Sequence, residues 1–295
     1  MISYRNWFLA MRPWSFTMSV ISVSVGAALA ATHGSFSWLF YLLTVIAMTA
    51  VHGGVNLMND YFDYRSGVDI EDAATTQYRP HPLAEGKIYP MPVLWVSIIL
   101  FALGASLGLL LAALRGWEIF WIGLVGVLAG VFYTAPPLSY KYKAWGELSV
   151  FLMWGPLAVE AAYFIQTGTF SWAAFWVSIP FGVLVALVLF ANNLRDVETD
   201  EKARVNNLAL IFGRHNGPLV FASMVLAALF SVVVMSFVGP LGKWSLIVLL
   251  SAPLAFKLLK VMIHEVPKDA DARTAQLNTA FGALLVISLV LESVF

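Results

Sequence analysis

The sequence predicts an all-α integral-membrane protein of nine transmembrane helices, and three observations lead there. Hydrophobic residues make up 60% of the 295 positions and charged residues only 12%, against about 45–50% and 25% in an average soluble domain. The apolar residues come in runs of roughly 20, long enough to cross a hydrocarbon layer about 30 Å thick. When nine such runs are threaded through a bilayer, all but two of the 17 basic residues collect on one side.

The runs fall at about 15–32, 37–59, 91–112, 118–134, 145–166, 172–193, 217–236, 243–263 and 274–293. The first follows Arg5 and Arg12 without a small-residue cleavage site, so it is read as a retained span within a single polytopic domain. Only Arg115 and Lys243 lie on the poorer side. The positive-inside rule therefore places the N-terminus and the basic loops in the cytoplasm and the C-terminus outside. Outer connections such as Thr167 to Ser171 are short and nearly uncharged, whereas the two long loops, 60–90 and 194–216, are both cytoplasmic and carry clustered acids and bases. Loops of that kind are more often functional than connecting, so the chemistry is expected at the cytoplasmic end of the bundle.

Formal charge is zero, which suggests no nucleic-acid partner. Cysteine is absent, which excludes disulfides, thiolate zinc sites and thiol nucleophiles. Any metal must be held by oxygen or imidazole.

The second span ends in Asn56-Leu57-Met58-Asn59-Asp60-Tyr61-Phe62-Asp63, continuing to Gly67-Val68-Asp69. On a continuing helix Asn56, Asp60 and Asp63 share a face, with Asn59 one turn from Asp63. The sixth span ends in Asn192-Asn193-Leu194-Arg195-Asp196-Val197-Glu198-Thr199-Asp200, where Asn192, Asp196 and Asp200 recur every four residues. Such acids are either solvated helix ends or ligands. Their recurrence at two matching span ends, and the cost of placing acids at a membrane boundary unless they are paired or coordinated, favour ligands. Carboxylate and amide oxygens suit Mg²⁺, which commonly bridges few protein carboxylates to substrate phosphates. The expected metal set is Asn59, Asp60, Asp63, Asn192, Asp196 and Asp200, with Asp63, Asp196 and Asp200 carrying the catalysis. Arg65, Arg79, Lys87, Lys141 and Arg195 lie in the same loops and are candidates to neutralise a diphosphate; the rival readings are topological charge and, for Arg65 and Arg195, salt-bridge scaffolding.

At these residues the sequence resembles the UbiA superfamily of intramembrane prenyltransferases. Asn59 to Asp69 resembles the first Asp-rich motif and Asp196 to Asp200 the second. Arg79-Pro80, Pro82-Leu83 and Gly86-Lys87 resemble the following basic segment, and Tyr133 to Pro137 with Gly146-Glu147 the loop after the fourth span. Within the superfamily the spacing from Asn59 to Asp69, with Gly67 where the commonest motif has Asp, and the run Asn192 to Asp196 look most like the dihydroxynaphthoate prenyltransferases of menaquinone synthesis. Val205 to Ala209 departs from that branch, which usually has a basic residue and Thr before Leu-Ala. The resemblance implies a helical bundle around a central cavity, caps over the Asp motifs, a lateral opening for a lipid chain, a polyprenyl diphosphate donor, Mg²⁺ and an aromatic acceptor, 1,4-dihydroxy-2-naphthoate first among several.

Loss of diphosphate from an allylic carbon needs cations at the leaving group and an apolar lining that keeps water from the carbocation. Aromatic faces add stabilisation, with Tyr133 a candidate beside Tyr61, Phe62 and Trp14. Arg12 is placed to reach an acceptor carboxylate or to anchor the first span, and Asn56 and Asp69 complete the candidate lining. Glu160, inside the fifth span, reads either as an acceptor-side base or as an interhelical contact. His52, beside Gly53-Gly54, reads as a packed residue with a satisfied imidazole. A secondary transporter is the rival from another class, but transporters usually hold broken helices and acids at the midplane, whereas both motifs here sit at span ends.

Overall fold

In hydrocarbon each backbone N–H and C=O must find its partner within the segment, which leaves the helix as the economical crossing. The computed structural model, which describes residues 4–67, 81–202 and 205–295, follows that rule. A short helix, α1 (Tyr4–Ala10), and a 3₁₀ turn (Pro13–Ser15) lead into α2 (Phe16–Thr32). Then come α3 (Trp38–Ser66), α4 (Pro90–Arg115), α5 (Trp117–Phe132), α6 (Gly146–Thr167) and α7 (Trp172–Arg195). The chain ends with the short α8 (Val197–Lys202), α9 (Leu208–Val238), α10 (Lys243–His264) and α11 (Ala270–Val294). Among the described residues there is no strand, only an isolated bridge between Lys143 and Asn206.

Among the described residues eight helices are long and apolar enough to span, and α5 is a shorter apolar helix of 16 residues. At 1.5 Å per residue α5 covers about 24 Å, so the nine expected segments are all helical, one of them short of full thickness. Two ends differ from expectation. The second helix runs on to Ser66, seven residues past the predicted boundary, and stops at Gly67 in the left-handed conformation, φ 77°. The first motif is therefore helical. The seventh long helix begins at Leu208, with a break at Gly213, φ 71°, a conformation glycine enters without steric cost.

The main apolar core joins α2, α6, α7, α9, α10 and α11, while α3, α4 and α5 form the other side through smaller clusters. Small residues set the close approaches, as is usual between helices in lipid: a Cβ on Gly26 of α2 would stand 2.3 Å from the Val159 carbonyl of α6. In α6 the helix opens around Gly155 and Pro156. Proline removes a backbone donor there, and the Ser22 hydroxyl of α2 donates to the Trp154 carbonyl at 2.6 Å.

Candidate active site

The two sides of the bundle enclose a cavity of about 870 Å³. At the end that bears the motifs its wall is polar: Asn56, Asn59, Asp63, Lys141, Tyr142, Asn192, Asp196, Asp200 and Asn207. Beyond them it becomes an apolar shaft through Val51, Gly104, Gly108, Gly123, Val127 and Leu157 to Ile119 and Ile165 near the opposite end.

The continuation of α3 sets the first half of the polar mouth. Asn59 Nδ2 donates to Asp63 Oδ2 at 2.8 Å, and Lys141 Nζ donates to both Asn59 Oδ1, 2.9 Å, and Asp63 Oδ2, 2.6 Å. The Tyr142 hydroxyl donates to Asp63 Oδ1. A carboxylate with 3% side-chain exposure is thus compensated by one ammonium, one amide and one phenol, which a buried charge requires.

The second half comes from the end of α7. Asp196 caps the helix, and Arg195 grips it through Nε to Oδ1 at 2.7 Å and Nη2 to Oδ2 at 2.5 Å. The same guanidinium donates to Asn192 Oδ1, 2.9 Å, and Asp271 Oδ1, 3.2 Å. Asp200, on α8, accepts from Asn207 Nδ2 at 2.7 Å. Burial, and then the Asp196 carboxylate, push the Asp200 carboxyl up to about 6, against the pull of Lys141, Asn207 and Arg195. Asn206 N–H donates to the Tyr142 carbonyl and Ala144 N–H to the Asn206 carbonyl, so this backbone bridge carries the Tyr140–Tyr142 turn over to the second motif.

Of the expected residues, Asn59, Asp63, Asn192, Asp196, Asp200, Lys141, Arg12, Asn56 and Tyr133 share this one cavity. Asp60 does not line it. Its carboxylate pairs with Arg12, and His81 Nε2 lies 3.6 Å away; three residues along a helix turn it about 60° from Asp63, toward Arg12. Arg65 donates to the Tyr61 hydroxyl at 3.2 Å, Lys87 pairs with Glu85 on the surface, and Arg195 stands behind Asp196, all outside the lining. Glu160 also falls outside it: its Oε2 accepts from the Ser171 backbone N–H, 3.3 Å, at the end remote from the motifs. Asp69 and Arg79 lie outside the described residues. His52 has both ring nitrogens bonded, to Ser15 and Ser19, and also borders the cavity.

Two participants, Tyr140 and Tyr142, carried no signal strong enough to read in advance, while Glu147 and Asn207 stood in noticed segments without an assigned role. Tyr140 and Tyr142 flank Lys141, yet two tyrosines among 10 do not announce themselves. Glu147 Oε1 accepts from Asn193 Nδ2, 2.9 Å, and from the Leu208 N–H, 3.1 Å, linking the second motif to the start of α9. Asn207 explains the departure in the 205–209 segment: its Oδ1 caps α9 by accepting from the Leu210 N–H while its amide holds Asp200.

A cavity with an acidic, cation-balanced mouth and a long apolar shaft suits an amphiphile whose head is anionic and whose tail is hydrocarbon. The UbiA prenyltransferase family model matches residues 19–285. The chain belongs to the UbiA prenyltransferase family. It is therefore an intramembrane prenyltransferase with multiple membrane-spanning helices. Among its relatives, the 1,4-dihydroxy-2-naphthoate octaprenyltransferase of Bacillus subtilis (strain 168) is 29% identical over 95% of this chain and 91% of its own length. The UbiA prenyltransferase domain-containing protein 1 of Homo sapiens is 30% identical over 97% and 83%. The fold is that of the family's solved structures: the apo structure of a UbiA homolog from Aeropyrum pernix K1 superposes with TM-score 0.73, 14% identity and coverage of 94% of this chain and 98% of that one. A UbiA homolog from Archaeoglobus fulgidus bound to GPP and Mg²⁺ gives TM-score 0.68 at 16% identity, covering 98% and 100%.

Proposed function

We propose that this UbiA-family enzyme transfers a polyprenyl group from a prenyl diphosphate to an aromatic acceptor, 1,4-dihydroxy-2-naphthoate, with Mg²⁺ as cofactor, in menaquinone synthesis. The observation that carries the reading is the division of one cavity into an oxygen-rich mouth and an apolar shaft. The naphthoate acceptor is favoured by the Asn59-to-Asp69 spacing, and the Bacillus subtilis relative, a 1,4-dihydroxy-2-naphthoate octaprenyltransferase at 29% identity, supports it.

The donor set fits the metal. Asp63, Asp196 and Asp200, with the amide oxygens of Asn59 and Asn192, are hard ligands facing one space. Among the described residues no three acidic or imidazole side chains form a cage of their own, so waters and substrate phosphate would have to complete the shell. When bound, Mg²⁺ supplies positive charge to the leaving diphosphate. Lys141, now balanced by Asp63, is placed to donate to a diphosphate oxygen, and Tyr142 stands beside it as a hydroxyl donor. The C–O bond breaks with its electron pair going to the diphosphate. The shaft excludes water from the allylic cation, and Tyr133 presents a ring in the cavity wall. A ring carbon of the acceptor then closes the new C–C bond, and carbon dioxide or a proton leaves.

The deciding experiment supplies a prenyl diphosphate and ring-carboxyl-labelled naphthoate: labelled carbon dioxide should appear in step with prenylated product. Turnover confined to non-carboxylated acceptors would remove the naphthoate assignment. The orientation, motifs in the cytoplasm and C-terminus outside, rests on the basic asymmetry; reporters fused after Phe295 and within the 194–202 segment should fall on opposite sides.

A further inference from the structure

Asn56 lies on α3 one turn deeper than Asn59, about 4.5 Å along the axis, and about 10 Å from Asp63 by the same rise. It belongs to a hydrogen-bonded array on the α2–α3 wall whose directions can be worked out. The Ser15 hydroxyl donates to the Arg12 carbonyl at 2.7 Å. With that proton committed, Ser15 Oγ accepts from Asn56 Nδ2, 3.1 Å, and from His52 Nε2, 3.2 Å, so the imidazole carries its proton on Nε2. His52 Nδ1 then accepts from the Ser19 hydroxyl, 2.8 Å, which in turn accepts from Trp154 Nε1, 3.1 Å. The second amide proton of Asn56 goes to the Met11 carbonyl at 3.0 Å.

Both protons of the Asn56 amide are thus engaged, whereas its Oδ1 accepts no hydrogen bond from the described residues. The carboxamide cannot reverse without losing both donated bonds. Asn56, only 9% exposed, borders the cavity, and its Oδ1 is not among the fully buried polar atoms that lack a partner, so it is open to the cavity and available to accept. A site whose fixed group only accepts selects a ligand that donates.

We propose that Asn56 Oδ1 receives the ring hydroxyl of the aromatic acceptor, with Ser15 and Met11 fixing the amide that does so. The proposal rests on the reading of this cavity as a prenyl-transfer site with an aromatic acceptor. As the ring carbon attacks the allylic carbon, electron density leaves the hydroxyl oxygen and its proton becomes more acidic. The bond to Oδ1 is then stronger in the transition state than in the ground state, which is the condition for it to raise the rate. The amide oxygen also discriminates, because a hydroxyl that becomes an ether leaves Oδ1 unpaired and adds a methyl group against it.

The test compares 1,4-dihydroxy-2-naphthoate with its mono-O-methyl ethers at saturating prenyl diphosphate and Mg²⁺. The wild-type enzyme should favour the free hydroxyl over one of the ethers by at least tenfold in kcat/KM. Asn56→Ala should lower kcat/KM for the dihydroxy acceptor by 10- to 100-fold, change that for the ether by less than twofold, and leave KM for prenyl diphosphate unchanged. Ser15→Ala keeps the amide oxygen but removes one of its restraints, and should reduce the hydroxyl-over-ether ratio severalfold; it decides the matter if Asn56→Ala does not fold in detergent. An unchanged ratio in the variants, or equal losses with both acceptors, overturns the role of Asn56. Wild-type enzyme that prenylates no hydroxylated aromatic acceptor overturns the acceptor reading itself, and this proposal with it.

Discussion

Lys141 Nζ stands 2.6 Å from Asp63 Oδ2, joining residues 78 positions apart and closing the turn after α5 onto the end of α3. The contact places a cation where the leaving diphosphate is expected and meanwhile offsets a buried carboxylate. Replacing Lys141 by Met should therefore act in two directions. Turnover should fall by roughly 10²-fold, the usual scale for losing one fixed donor to developing charge, and KM for prenyl diphosphate should rise. Divalent-ion affinity in the absence of donor should not fall, because Asp63 loses a competitor. Titration of the purified variant with Mn²⁺ separates the two effects.

Asp63→Ala, Asp196→Ala and Asp200→Ala should each abolish metal-dependent turnover, a loss of at least about 10³-fold or roughly 4 kcal/mol, with the protein still folded in detergent. Asp60→Asn should behave differently, since Asp60 faces Arg12 and not the cavity: metal dependence should persist. Activity assays across a Mg²⁺ series separate Asp60→Asn from the other three, and near wild-type turnover in any of those three would remove that residue from the metal site.

Burial, and then the Asp196 carboxylate, push Asp200 up to about 6, above the ordinary aspartate value of about 4. A raised acid favours the protonated fold, so its contribution to stability is complete below about pH 4 and is lost as pH rises through about 6. Metal binding needs the ionised form and runs the other way, gaining strength as pH climbs through the same value. Without metal, Asp200→Asn should gain stability over wild type between pH 4 and 7 in thermal unfolding. Adding Mg²⁺ should shrink that gap at pH 7 but not at pH 5.

The apolar shaft owes its width to glycine. A Cβ at Gly108 or Gly123 meets nothing within 4 Å, and both positions line the cavity. Gly123→Phe has room for its Cβ and should carry its ring into part of the shaft. Turnover with a ten-carbon donor should stay within a few-fold of wild type, and turnover with a forty-carbon donor should drop by tenfold or more. Product analysis with a ladder of donors checks this; equal effects on all lengths would place the chain elsewhere.

The membrane class, the nine helical segments and both acidic motifs were legible in the sequence, because hydropathy and helical period are local properties. Twenty apolar residues must be helical in lipid whatever they pack against. The same locality explains the misplaced end of α3: the spacing of the motif suits a continuing helix, but hydropathy stops the span near residue 59, and how far the helix runs depends on what covers the polar turn.

Partner choice was not local. Asp60 and Asp63 sit three residues apart on one helix and look alike as ligands. The fold brings Arg12, 48 residues earlier, to the first and Lys141, 78 residues later, to the second. Tyr142, Asn207 and Asp271 enter the site for the same reason, carried there by a backbone bridge and a last helix that no spacing rule anticipates. By itself the sequence determined which segments cross and where the acids cluster, since each follows from neighbours along the chain. Only the tertiary structure decided which acids face the cavity and which are spent on ion pairs, because a buried charge takes its environment from whatever packing brings within a few ångströms.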